Sequence, residues 1–397
     1  MRISYGSSVY SNLEIDAVNK VLKTSTQMGT NVLNFEEKIA KIFGKKYGVM
    51  TNSGSSALLL ALKALNFKKG SEVITPALTF GTTVSSIVLN ELVPSFVDVE
   101  RNTFCIDVNK IEKKISSKTV AILAPDLLGN ICNWKVILNL AKKYNLKVIH
   151  DSADTLGATL YNKKMGYFSD ITITSFYGSH IINGAGNGGM VCCSDKKIIN
   201  KIKLLRSWGR SSSLYKNSES PANRFNIKLD GIRYDKKFVF SEIGYQMEPS
   251  EISAAFALVQ LKKLKHNFDK RNKIYKKHLG FFKKYISFFE LPEQNINAKT
   301  CWLAFPLLVR PNRYFTRTDL QIFLEKRNIQ TRVIFTGNIL RQPGFKDIKC
   351  IGKAKDFVNA DYVMKNGILI GCHHGMTDEM LNYLYKNLVN FFSKTVN

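Results

Sequence analysis

An α/β fold with a second, smaller unit is what this sequence predicts, and three observations carry the prediction. Short β-branched runs alternate with amphipathic stretches through roughly the first 250 residues, the pattern of strands joined by crossover helices. Near Pro249 the character changes to a long span with apolar residues at helical spacing, which reads as one or two long helices. The chain has 397 residues, enough for one large and one smaller buried core. The predicted units are therefore residues 1–250 and residues 251–397.

Taken in order, the predicted strands of the large unit are YGVMT (47–51), EVITP (72–76), PSFVDV (94–99), VAILAP (120–125), KVIHD (147–151), ITITSF (171–176) and GMVCC (189–193). Helices are expected between them, as in SSALLLALKAL (55–65) and WKVILNLAKKYN (134–145). In the smaller α+β unit the strands are CWLAFPLLV (301–309), TRVIF (331–335) and GILIG (367–371). There is no internal repeat and no low-complexity linker.

Composition removes several function classes. Hydrophobic residues make up 45% and aromatics 11%, which fits a globular chain and not a disordered one. The start, MRISYGSSVYSNLEID, has no signal-peptide core, and no apolar run nears the roughly 18 residues of a membrane span. A cytoplasmic enzyme with no membrane association is expected. The seven cysteines are odd in number and form no CxxC pair, so buried thiols are expected and neither a disulfide framework nor a metal site. The net charge of +27 raises the question of nucleic acid. The lysines are spread along the chain, often as pairs such as Lys163-Lys164, without a basic tail or nucleic-acid motif. The charge suits an anionic small substrate instead.

Ligands of open α/β sheets gather beyond the C-terminal strand ends, and three such ends carry chemistry here. In TNSGSSALLL, Gly54, Ser55 and Ser56 stand between a strand and a helix. They form either a phosphate cradle at a helix N-terminus or an ordinary serine cap. In VIHDSADTLGA, Asp151 ends an apolar strand. Burial of that carboxylate requires a partner, which is a protonated heterocyclic nitrogen, a salt bridge or a helix cap. The third end is SFYGSHIINGAGNGGM, where Ser175 and His180 follow the sixth strand and no lysine occurs from Met165 to Asp195. A lone histidine there is either structural or a proton carrier.

Together these segments resemble the DegT/DnrJ/EryC1 family of nucleotide-sugar enzymes, in order and spacing from about residue 10 to the C-terminus. The resemblance implies the pyridoxal-phosphate-dependent transferase type I fold, with a mixed seven-stranded sheet in the large domain. It implies pyridoxal or pyridoxamine phosphate as cofactor. Gly54, Ser55, Ser56 and Ser175 would then hold the cofactor phosphate, and Phe80 of TPALTFGTT would stack on the pyridine ring. Asp151 would pair with the pyridinium nitrogen and keep it protonated. Asp154 stands near the cofactor where the family has Gln or Glu. Gln246 of GYQMEP stands where an Asn commonly reaches the phosphate across a dimer. TRVIFTGNILRQPGFKD (331–347) resembles a C-terminal signature that makes Arg332 and Asn338 substrate-side residues.

His180 occupies the place of the lysine that carries the cofactor in the family's aminotransferases. Imidazole cannot form that link, which needs a primary amine, but it moves protons near neutral pH. A histidine here is similar to the family's 3-dehydratases, as are LRSWGRSSS (205–213) and FSEIGYQMEPSEISAAFALVQLKKL (240–264). The implied reaction removes the C3 hydroxyl of a nucleotide-linked 4-keto-6-deoxyhexose and gives a 4-keto-3,6-dideoxysugar for surface polysaccharide. One branch of that subgroup carries an iron–sulfur cluster on four cysteines. Its positions are filled here by Ala153, Ser212, Leu214 and the stretch Ser220–Ala222, so no cluster is expected. The resemblance then implies that glutamate returns the amino group to the cofactor, in a homodimer with shared active sites. The loop after His180 departs from the family: it is one residue longer and has Asn187 in place of a glutamate. A nucleotide-sugar aminotransferase, or a non-catalytic homologue that binds cofactor or sugar nucleotide, are the other readings that the residues leave open.

Overall fold

The computed structural model describes residues 1–215 and 220–396; residue 397, the end of the second predicted unit, lies outside them. All seven expected strands of the large sheet form: β1 (Tyr47–Thr51), β2 (Glu72–Pro76), β3 (Val93–Val97), β4 (Thr119–Pro125), β5 (Lys147–Asp151), β6 (Ile171–Ser175) and β7 (Gly189–Cys193). Their order across the sheet is β1-β7-β6-β5-β4-β2-β3. Only β7 runs against its neighbours, β1 and β6, and the other pairings of the sheet are parallel. Parallel strands are buried on both faces, which is why they read as short continuous apolar runs. Helices α1 (Asn12–Leu22), α2 (Thr30–Phe43), α3 (Gly54–Ala64), α4 (Gly81–Val88), α5 (Trp134–Lys143) and α6 (Lys196–Arg206) precede, link and follow these strands. This winding brings the C-terminal ends of β1, β2, β4, β5 and β6 to one edge of the sheet, where the sequence placed its chemistry.

The long helical span divides at Lys263 into α7 (Glu251–Lys262) and α8 (Leu264–Phe282). Ala254 and Ala257 of α7 pack in the same core as Val32 and Phe35 of α2. Ile274 and Phe282 of α8 instead join the core of a second sheet. That sheet is antiparallel, with β8 (Phe289–Glu290), β9 (Ala304–Val309), β10 (Thr331–Arg332) and β11 (Gly367–Gly371) in the order β8-β9-β11-β10. Helices α9 (Arg317–Glu325), α10 (Val358–Asn366) and α11 (Asp378–Val396) complete this part of the chain.

One expected strand is shorter than the sequence predicts. TRVIF pairs only through Thr331 and Arg332, because Phe335 takes a φ of 45°, a left-handed conformation that ends an extended run. The N-terminus has a placement that the sequence did not signal. Ile3 pairs with Ile329, with Ile3 N–H donating to Asn328 O at 2.8 Å and Gln330 N–H donating to Ile3 O at 2.9 Å. This pins the first residues beside the second sheet and carries Tyr5 into the cleft at the strand ends. No helix among the described residues is long and apolar enough to cross a membrane.

Candidate cofactor site

A cleft of about 550 Å³ opens at the C-terminal edge of the large sheet. One end of it is built at the start of α3. Ser53 caps this helix: its hydroxyl accepts from Ser56 N–H at 3.1 Å. The Ser56 hydroxyl donates to Asn52 Oδ1 at 2.6 Å. Ser56 is thus spent inside the cap, and Ser53, Gly54 and Ser55 are the residues that line the cleft. Of the expected residues Gly54 and Ser55 line the cleft, and Ser53 lines it where Ser56 was expected. Ser175, at the end of β6, lies directly against Gly54, where a Cβ would come within 2.8 Å of the Ser175 Cβ. Glycine is required here by close approach rather than by its dihedral angles. Gly54→Ala is expected to destabilise the protein by about 1–3 kcal/mol through overpacking, read as a lowered midpoint in denaturant.

The middle of the cleft holds Asp151, which ends β5 and is 5% exposed. Its Oδ2 accepts from Thr83 Oγ1 at 3.0 Å and its Oδ1 from Ala153 N–H at 3.2 Å. No cationic side chain is in ion-pair contact with it among the described residues. Burial therefore pushes its pKa up to about 6. A buried carboxylate left without a cation is costly, and a pyridinium N–H aimed at it supplies what the chain withholds. The donor set fits pyridoxal or pyridoxamine phosphate: helix N–H groups and hydroxyls for the phosphate, a carboxylate for the ring nitrogen, and an aromatic wall. That wall is Phe80, 53% exposed and in edge contact with Phe335 at 5.9 Å between centroids.

His180 lies on the turn that follows β6, with its backbone N–H donating to Tyr177 O at 3.0 Å. Its Nδ1 lies 3.1 Å from Ser175 O. A carbonyl only accepts, so Nδ1 carries the hydrogen and Nε2 is the basic nitrogen of the neutral ring. Burial presses the imidazole pKa down to about 4, which keeps it neutral at physiological pH. Nε2 faces Asp154 Oδ1 at 3.6 Å. Asp154 also accepts from Leu128 N–H through Oδ2 at 2.9 Å, and burial raises its pKa to about 7. The turn is held from below by Arg271 of α8, 1% exposed. Arg271 donates to Ser179 O at 2.9 Å, to Leu303 O at 2.9 Å and to Trp302 O at 3.3 Å.

The remaining candidates divide. Arg332 lines the cleft; its Nη1 donates only to Thr331 O, at 2.7 Å, and its guanidinium lies 5.7 Å from the Tyr5 ring centroid. Asn338 does not line the cleft. It is fully buried, donates to Ala354 O and Asp361 Oδ1 at 2.8 Å each, and its Oδ1 accepts from Leu340 N–H at 3.2 Å. Both amide hydrogens are committed, so the side chain pins a turn, in place of the substrate contact expected from the sequence. Gln246 is exposed and pairs through its backbone with Ser207; it does not line the cleft of its own chain. Asn187 of the unusual loop does line it. The sequence reasoning missed Tyr5, Ser53, Thr83 and Arg271. Ser53 lies within TNSGSSALLL and Thr83 within TPALTFGTT, so both carry a local signal. Tyr5 and Arg271 had no local signal.

With this geometry in view, comparison with known proteins is decisive for the family. Residues 10–389 match the DegT/DnrJ/EryC1/StrS aminotransferase family, and the chain belongs to it. Its fold is the aminotransferase fold of pyridoxal-phosphate enzymes. The lipopolysaccharide biosynthesis protein RfbH of Salmonella typhimurium is 34% identical over 90% of this chain and 84% of that one. The GDP-4-keto-6-deoxy-D-mannose 3-dehydratase of Yersinia pseudotuberculosis is 30% identical over 98% of this chain and 97% of its own length. A solved GDP-4-keto-6-deoxymannose-3-dehydratase with a trapped PLP-glutamate geminal diamine is 30% identical, with a TM-score of 0.87, covering 97% of this chain and 100% of that one.

Proposed function

We propose that this chain, a pyridoxal-phosphate-dependent enzyme of deoxysugar biosynthesis, is a 3-dehydratase of a nucleotide-linked 4-keto-6-deoxyhexose. The observation that carries the reading is the cleft wall itself. Among the described residues no lysine lines it, and His180 does, with Nε2 toward Asp154. An aminotransferase of this fold needs a primary amine at that place. A neutral imidazole at that place suits a base that removes a proton and leaves the cofactor unattached. The relatives that carry 3-dehydratase names support the same reading.

When bound, pyridoxamine phosphate supplies an amine for the sugar ketone and a ring that accepts electrons. The chain does the rest. Ser53, Gly54, Ser55 and Ser175 would hold the phosphate, Asp151 would keep the ring nitrogen protonated, and Phe80 would pack on the ring. His180 removes a proton through Nε2. Arg332 would anchor the sugar nucleotide, glutamate would be the amino donor, and in a homodimer with shared sites Gln246 of a second copy would help hold the phosphate.

The test is to mix the enzyme, glutamate and a panel of nucleotide-linked 4-keto-6-deoxysugars and to weigh the products. A 3-deoxy product is expected. A stable 4-amino sugar that keeps its 3-hydroxyl would overturn the reading and favour an aminotransferase. Arg332→Ala is expected to raise KM for the sugar nucleotide roughly 10- to 100-fold with kcat little changed. That is the loss of a charge-assisted hydrogen bond of about 1.5–3 kcal/mol, measured by initial rates.

A further inference from the structure

The loop after β5 and the turn after β6 bring two side chains together in a way that the sequence motifs do not explain. The Nδ1 of His180 is spent on Ser175 O, so its lone pair is on Nε2. Asp154 Oδ2 is spent on Leu128 N–H, and Oδ1 has no other hydrogen-bond donor among the described residues. Nε2 and Oδ1 face each other at 3.6 Å on side chains 11% and 9% exposed, and the Ala153 backbone also lies against the imidazole. A nitrogen lone pair facing a carboxylate oxygen, both largely shielded from water, is repulsive, and one proton held on either atom removes the conflict.

We propose that Asp154 and His180 hold one proton between them, with Asp154 the protonated member, so that the imidazole acts as base and the carboxyl as acid. This rests on the dehydratase reading for its substrate. The division of roles balances. Nε2 takes a proton from a C–H acid held in the cleft, and the electron pair of that bond is passed on to expel the C3 oxygen. The Asp154 carboxyl gives its proton to the departing oxygen, which leaves as water. The imidazolium N–H then returns a proton to Oδ1, and the pair is back at its starting state without drawing on solvent.

The surroundings agree with one shared proton. Arg271 of α8, held by backbone carbonyls, is the nearby buried cation. Its charge lowers the proton affinity of the imidazole and of the Asp154 carboxyl alike, the latter outweighed by burial, and so opposes a second proton on the pair. Tyr5 approaches from the N-terminal segment. Asp126, after β4, accepts from Trp134 Nε1 at 2.8 Å and lies 2.7 Å from His150 Nε2. Asp151 lies three residues before Asp154 and is reserved for the ring nitrogen. Burial disfavours the Asp154 carboxylate and the Asp126 charge adds to the same effect, which places the proton on Asp154.

The test uses the wild-type enzyme, D154N and D154E. The asparagine still accepts from Leu128 N–H but has no acidic proton. In the cofactor-free wild type, 15N NMR of His180 is expected to show protonated Nδ1 and bare Nε2 at pH 6, and 13C NMR an Asp154 carboxyl titrating near neutrality. In elimination assays D154N is expected to lose roughly 100-fold or more in kcat. It is also expected to lose the fall in rate that the wild type shows as pH rises through the Asp154 titration, a limb that D154E keeps. An Nε2–H tautomer, an Asp154 carboxylate already ionised at pH 5, or a D154N profile that keeps the alkaline limb would each overturn the proposal. If the wild type eliminates nothing from any 4-ketosugar, the dehydratase reading falls, and the shared proton is decided by the NMR titrations alone.

Discussion

Replacing His180 by glutamine is expected to slow removal of the C3 hydroxyl roughly 10²- to 10⁴-fold, the usual contribution of a positioned base, while the cofactor still binds. Glutamine keeps a side-chain donor that can reach Ser175 O, but it has no atom that accepts a proton at neutral pH. Single-turnover mass analysis of the product, with cofactor absorbance as the binding control, separates the two effects. His180→Lys is the complementary change. It puts a primary amine against the cleft, so borohydride should then attach the cofactor covalently and the 3-hydroxyl should be retained. Wild-type protein treated in the same way should release its cofactor on denaturation. A borohydride adduct on any wild-type lysine would mean that the site has been misplaced.

The second large effect is expected at Asp151. Its carboxyl has a folded pKa of about 6 against an ordinary 3.8 because it is buried. The folded protein therefore binds the proton more tightly than the unfolded chain. From this group, stability of the cofactor-free protein falls as pH rises from about 4 through 6, since the unfolded carboxyl ionises first. Cofactor affinity runs the other way, because the pyridinium needs the anion and protons compete below about pH 6. Asp151→Asn removes the anion from a buried pair, a loss of about 3–5 kcal/mol, or roughly two to four powers of ten in affinity. Titrating pyridoxamine phosphate at several pH values checks both claims. The variant should bind weakly, and its remaining pH dependence reports the phosphate's own ionisation near pH 6. Equal pH dependence in the two proteins would sink the assignment.

Much of the scaffold was readable in advance because the parallel strands are short, buried on both faces and bounded by turns. Lys147–Asp151 and Ile171–Ser175 show why the site residues were readable too. A polar residue that ends an apolar run is conspicuous, and the ends of such runs meet along one edge. Other parts of the site were not readable. Tyr5 arrives through a pairing between Ile3 and Ile329, a contact with no local pattern. Arg271 looks like one more basic residue on a lysine-rich helix, and only packing shows that it is buried under Ser179. Asn338 sits inside a motif-like stretch, yet its amide is consumed by Asp361 and Ala354. Ser53 and Ser56 differ by which one closes the helix cap, a distinction set by backbone geometry and not by residue type.

A cleft wall with no lysine among the described residues has a consequence for how such a protein lives with its cofactor. On the proposed reading there is no covalent tether, so occupancy obeys mass action and the vitamin derivative is an exchangeable ligand in the same sense as the sugar. Above saturation, each tenfold rise in free cofactor stabilises the fold by about 1.4 kcal/mol, with no plateau. Melting temperature should climb steadily with cofactor concentration and fall back after dialysis. The supply of the free vitamin form thereby sets the working fraction of the enzyme and how well that fraction resists unfolding.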